Sequence, residues 1–145
     1  MINKRESDDK KLFDDIAVNY VKKDLTAYCR VARKLRLVQS LKGIKQPIKK
    51  ILEVGCGAGF SVEYLKGKFV NFTGVDYSEN LIKYAKKHNS YTGVKFECLN
   101  VNDFNPEIKF DVVLMIGVLH HMPEPEKVIK SLSKILKPDG VIVVN

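Results

Sequence analysis

Glu53-Val54-Gly55-Cys56-Gly57-Ala58-Gly59 is the densest chemical signal in this sequence. Three glycines at alternate positions behind a short apolar run let the backbone turn sharply, and they let a ligand approach with no Cβ in its way. A dinucleotide-binding loop spaces its glycines as GxGxxG, the last one packing helix on strand beside the pyrophosphate. Here the third glycine comes one residue early, and bulky Phe60 stands where a dinucleotide site has Gly or Ala. A ring at that position opposes pyrophosphate binding and suits a ligand without phosphates. Asp76 follows 17 residues beyond Gly59 and closes the next apolar run. A carboxylate so placed can accept hydrogen bonds from both hydroxyls of a ribose, as nucleoside cofactors require. Either feature alone is common, an Asp after a strand being most often a turn or cap residue. In this order and at this separation they point to a nucleoside ligand.

Proton transfer and metal binding have thinner support. His120 and His121 are adjacent, just past an apolar run, where a second reactant would arrive. Either is a candidate general base; the plainer account is that they shape the turn and cap the next helix. Consecutive side chains diverge and no Cys or Asp cluster accompanies them, so no metal site is expected. Cys56 lies in the glycine loop with no evident partner base, which argues against a nucleophile. Cys29, Cys56 and Cys98 are odd in number and widely spaced, with no CxxC pair. Free thiols in a reducing cytosol follow, and with them a cytoplasmic location.

These groups need elements to hold them. Residues 8–41 read as two helices, with Leu12, Phe13, Ile16, Ala17 and Tyr20 at helical spacing and then Leu25, Tyr28, Cys29, Ala32, Leu35 and Val38. Phe13 and Tyr20 are either a lid over the ligand or ordinary helix packing. Gly43 and Pro47 break the pattern. Short apolar runs then alternate with helical segments. Strands are expected at 51–54, 69–75, 94–99, 110–116 and 141–144. Helices are expected at 61–66, from the Ser78 cap to His88, and at 123–136, the last stopped by Pro138 and Gly140. The pattern predicts an α/β fold, a Rossmann-like doubly wound, mostly parallel sheet of five strands with N-terminal helices. Ligands of such sheets sit at the carboxyl ends of the strands. We divide the chain into an N-terminal helical cap over 1–45 and an α/β core over 46–145.

The stretches Ile51–Gly59, Gly74-Val75-Asp76-Tyr77-Ser78, Phe110-Asp111-Val112-Val113, Leu119-His120-His121 and Leu136-Lys137-Pro138-Asp139-Gly140 together resemble the class I S-adenosylmethionine-dependent methyltransferase superfamily, in its order and spacing, over about residues 50–145. The likeness leans to its small-molecule methyltransferases, and residues 13–20 are similar to the helix that caps the cofactor there. The resemblance implies S-adenosylmethionine as cofactor and S-adenosylhomocysteine as product. It implies that the backbone around Gly55, Cys56, Gly57 and Ala58 faces the methionine part, with Gly59 also among the cofactor-binding residues, and that Glu53 helps hold its amino group, directly or through water. It further implies that Asp76 takes the ribose, Tyr77 lies against adenine, and Asn100 and Val101 meet the adenine edge. Many relatives have an acid at the position of Asn100; its carbonyl can accept in the same way, or Asp103 serves instead. Ile116 would line the pocket beside the sulfonium, with Tyr20 as part of the cap. The superfamily fold carries two further strands after the fifth, so a C-terminally truncated fragment is expected, with the fifth strand as an open edge.

Composition is that of a globular protein, with 45% hydrophobic and 29% charged residues, which excludes a disordered tail. No apolar run approaches a membrane span, and the polar start, Met1 to Asp9, lacks the apolar core of a secretion signal. Net charge is +8, with much of the excess between Lys22 and Lys50. Such a face could meet RNA or an acidic membrane surface, although a lysine-rich solvated surface is the simpler account. The expected activity is methyl transfer to a small-molecule acceptor. The alternatives are a non-catalytic cofactor- or RNA-binding module and an NAD-dependent oxidoreductase, the latter opposed by Phe60 and the GxGxG spacing.

Overall fold

Five parallel strands in the order β3-β2-β1-β4-β5 form one sheet in the computed structural model, which describes residues 4–145. Residues 1–3 of the expected cap lie outside the described residues. Two helices lead in, α1 (Lys4–Asp24) and α2 (Ala27–Leu41). The core alternates β1 (Lys50–Val54), α3 (Ser61–Leu65), β2 (Asn71–Asp76), α4 (Glu79–His88), β3 (Val94–Cys98), β4 (Phe110–Met115), α5 (Pro125–Ser133) and β5 (Leu136–Val144). This is the doubly wound α/β architecture expected from the sequence. The chain winds outward from β1 to β3, then returns to the far side of β1 as β4. The crevice where strand order reverses therefore lies between β1 and β4, the place where such sheets bind ligands.

The central strands β1, β2 and β4 are covered on both faces, which is why β1 and β4 read as apolar runs, whereas the edge strands β3 and β5 are partly exposed. Ile51, Phe72, Phe96, Val112 and Leu114 pack on one face with Leu37 of α2, Val62 and Leu65 of α3, and Ile82 and Ala85 of α4. Leu52, Val54, Val75, Val113 and Met115 pack on the other with Val128 and Leu132 of α5. Every residue of β4 is buried. The Ser78 hydroxyl caps α4 by accepting from the Leu81 N–H, and Leu81, Ile82 and Ala85 are the residues that α4 buries.

Three expectations need correction. The helix assigned to 123–136 ends at Ser133, and the strand assigned to 141–144 begins five residues earlier, at Leu136. Phe110 of β4 pairs with Leu136 and Val112 with Val141, so β5 takes up three extra residues opposite Asp111. Pro138 and Gly140 sit in this irregularity, where Pro has no ladder bond to donate. A Cβ on Gly140 would come within 2.9 Å of the Phe110 carbonyl oxygen. Glycine and proline thus shape a bulge in the strand instead of stopping the helix. The strand assigned to 69–75 likewise begins only at Asn71, because the N–H groups of Val70 and Asn71 both turn to the Lys49 carbonyl.

Candidate functional site

The carboxyl ends of β1 and β2 are bound into one turn. The N–H groups of Gly55 and Cys56 both donate to the Val75 carbonyl, at 2.8 and 3.1 Å. The next residue, Gly57, donates to Asp76 Oδ2 at 2.8 Å, while Ser78 N–H donates to Asp76 Oδ1 at 2.9 Å. The alternate glycines do different work. Gly57 has φ +51°, and a Cβ there would meet only a Tyr20 ring carbon, at 3.9 Å, so the backbone lies open to a ligand. Gly59 has φ +76°, and a Cβ there would sit 2.6 Å from the Phe96 ring, so this glycine serves helix–sheet packing. Burial pushes the Asp76 carboxyl up, and the N–H groups of Ser78 and Gly57 counter that by stabilising its charged form.

Glu53 is buried at 2% exposure beneath this loop. Its Oε1 accepts from the Ser61 hydroxyl at 2.5 Å, whereas Oε2 has no hydrogen-bond partner among the described residues. Burial pushes its pKa up to about 7, against the Ser61 bond and the Arg33 guanidinium, which favour the charged form. Burial also pushes the Cys56 thiol far up, which keeps it protonated and unreactive as a nucleophile.

Two adjoining cavities meet at Gly55, Asp76, Tyr77, Val118 and His121. The smaller, about 60 Å³, is lined by Asn100, Val101 and Met122 on one side and by Glu6 and Lys10 of α1 on the other. The larger, about 470 Å³, runs over Cys56, Gly57 and Ala58 to Ile116 and Gly117, and along Cys29, Ala32, Arg33 and Arg36 of α2. Tyr20, His120 and Phe13 also line it.

Helix α1 lies across the strand ends on polar ties. Arg5 donates to the His120 carbonyl at 3.0 Å, and Asp9 Oδ2 lies 3.3 Å from His121 Nδ1. Asp14 Oδ1 accepts from the Ser78 hydroxyl at 2.6 Å and from Asn80 N–H at 3.1 Å. The Phe13 ring meets Tyr20, Tyr77 and His121 edge-on, with centroids 5.8, 6.4 and 5.3 Å apart.

Of the residues singled out from sequence, Gly55, Cys56, Gly57, Ala58, Asp76, Tyr77, Asn100, Val101, Ile116, Tyr20, His120 and His121 line one cavity or both. Glu53 and Gly59 support the glycine loop from behind. Asp103 is exposed and lines neither cavity. The Asn100 side-chain oxygen accepts from Asn102 N–H at 2.9 Å, capping a short turn, and its amide faces Glu6. Sequence reasoning passed over Ser61, the ion pair between Arg33 and Asp24, and Arg36. A cation on a helix reads as a solvated face, so only the fold turns these toward the cavity.

A family model described as "Methyltransferase domain" matches residues 52–142. The ubiquinone biosynthesis O-methyltransferase of Chromobacterium violaceum is 35% identical over 96 residues, covering 63% of this chain and 41% of that protein. The chain thus spans less than half the length of this curated relative. Among solved structures, the DhpI–SAM–HEP complex superposes with TM-score 0.74 at 24% identity, covering 92% of this chain and 63% of that one. The plantazolicin methyltransferase BpumL in complex with SAH gives 0.72 at 23% identity, covering 90% of this chain and 51% of that one. At these identities the two structures establish likeness of fold.

Proposed function

This chain belongs to the methyltransferase domain family, and from that membership we propose that it binds S-adenosylmethionine and passes its methyl group to a small-molecule acceptor. The observation that carries the reading is the unpartnered Oε2 of Glu53, a buried acceptor beneath an open glycine turn. An α-ammonium group, held directly or through a water, is the donor that this oxygen calls for. The other parts of the cofactor have matching groups. Asp76 keeps free lone pairs on both oxygens for a ribose diol. Tyr77, Asn100 and Val101 line the adjoining smaller cavity, where adenine would lie. Arg33 lines the larger cavity with its side chain 23% exposed and one nitrogen paired with Asp24, and its remaining donors are the cationic group for the methionine carboxylate.

When bound, S-adenosylmethionine supplies a sulfonium methyl already activated for in-line displacement, its sulfur leaving as a thioether. The protein's own part is to position and to keep dry. Phe13 and Tyr20 cover the glycine loop, and the ties of α1 hold that cover in place. His121 lines both cavities with Nδ1 beside the Asp9 carboxylate, which orients the ring to take a proton from an acceptor that has one to lose.

Calorimetric titration with S-adenosylhomocysteine, with NADH in parallel, tests the reading. Micromolar binding of S-adenosylhomocysteine is expected, weakened at least tenfold in Asp76→Ala and in the more conservative Glu53→Gln, with no binding of NADH. NADH binding alone would overturn the assignment. Salt-sensitive RNA binding without affinity for S-adenosylhomocysteine would favour a binding module instead.

A further inference from the structure

We propose that the far end of the larger cavity is an oxyanion site built on Arg36, so that the acceptor is a small molecule carrying a carboxylate or a phosphate. This rests on the reading of that cavity as the site of methyl transfer. The chain has four arginines. Arg5 donates to the His120 carbonyl, Arg30 binds Glu63 at 2.8 Å, and Arg33 is paired with Asp24. Arg36 lines the cavity and makes no ion pair or hydrogen bond among the described residues. Its position is specific. Gly117 follows the end of β4, and a Cβ built on it would lie 3.7 Å from Arg36 Nη1. The guanidinium therefore hangs over the backbone next to Ile116, on the side of the cavity away from Asp76.

The surroundings reinforce the sign of the charge. Lys23 also lines the cavity, and of the two acids that line it among the described residues, Asp24 is already engaged by Arg33 and Asp76 lies at the end of β2. No Asp or Glu occurs between Leu25 and Leu52. A free guanidinium presents a planar fork of donors that matches a carboxylate or a phosphate. Between Arg36 and the glycine loop the wall is Cys29 and Ala32, with Tyr28 at the rim, so the body of the acceptor meets small apolar and aromatic surface.

The test uses the 145-residue chain loaded with S-adenosylhomocysteine, titrated with benzoate, phenyl phosphate and the neutral isostere benzamide, and followed by NMR chemical shifts. At least one of the two anions should bind at least fivefold more tightly than benzamide, and the tighter of them identifies the oxyanion. Arg36→Gln should abolish that preference, Arg36→Lys should keep part of it, and Arg30→Gln should leave it intact. Equal binding of benzamide, an unchanged preference in Arg36→Gln, or an equal loss in Arg30→Gln would overturn the proposal. If S-adenosylhomocysteine itself fails to bind, the cofactor reading falls, and the same titrations on the unloaded chain still decide whether Arg36 holds an anion.

Discussion

Glu53 concentrates the tension between folding and binding in one side chain. A carboxylate shielded from water, with one oxygen bonded to Ser61 and the other unpartnered, disfavours its own ionisation, and its pKa rises from 4.5 to about 7. The native state therefore holds this proton more tightly than the unfolded chain does. Its contribution to stability is full below the unfolded pKa and is lost as pH rises through the folded one. The shift corresponds to about 3 kcal/mol. Urea unfolding of the wild type between pH 5 and 8 should show a decline of about 2–3 kcal/mol that is missing from Glu53→Gln. A pH-independent gap between the two proteins would mean that Glu53 does not carry a buried charge. An ammonium group supplied by a ligand would reverse the decline, so S-adenosylhomocysteine should stabilise the wild type more at pH 8 than at pH 5.

At the scale of elements, Asp111 fastens three strands. Its Oδ2 accepts from the N–H groups of Lys49 and Lys50 at 3.0 and 2.7 Å, at the start of β1, and its Oδ1 accepts from Lys137 Nζ at 2.6 Å, in the bulge of β5. Burial alone would raise the Asp111 pKa, but Lys137 and the two backbone donors outweigh it and hold the carboxyl below its usual range. Asp111→Ala strands these donors and should cost about 2–4 kcal/mol, read as a lowered urea midpoint. The loss should shrink in acid, where the wild-type carboxyl is itself protonated. A loss under about 0.5 kcal/mol, the range of ordinary surface substitutions, would mean that the strands do not depend on this residue. The same region marks the limit of what the sequence discloses. Helix α4 was legible because its cap and its buried residues are local, as β4 was from its unbroken apolar run. The glycine loop and Asp76 were legible because turn chemistry at strand ends is local too. The junction of α5 and β5 was not, since it depends on register against β4, a pairing between distant residues. In α2 the apolar residues run almost round the helix, so nothing local shows that Leu37 is the one buried while Tyr28, Val31 and Leu35 stand exposed. Arg33 and Arg36 were missed because the groups they meet, Asp24 at the end of α1 and Gly117 just beyond β4, are brought to them only by the fold.

Across the whole molecule, charge and connectivity converge on the crevice between β1 and β4. The net charge of +8 is weighted toward the α2 side, while Asp76 lines the cavity at the end of β2 and Glu53 lies buried beneath the glycine loop. A ligand with a cationic centre and a separate anionic end would find both complements in one groove. The pairing of Ile51 with Val112 also sets how the molecule comes into being. Neighbouring strands elsewhere in the sheet are joined by segments of 16, 17 and 20 residues, but β1 and β4 are separated by the whole of α3, β2, α4 and β3. Closing that longer loop costs more chain entropy than any other step in the sheet. The sheet should therefore assemble as two local pieces, β1–β2–β3 and β4–β5, which join last along the seam that holds the cavity. In pulsed hydrogen exchange during refolding, the amides linking β1 to β4 should gain protection after those linking β2 to β3, and affinity for S-adenosylhomocysteine should emerge with the later set. Simultaneous protection throughout would refute the two-piece order. The binding crevice is then also the finishing line of folding, and a chain that can hold its ligand has completed its fold.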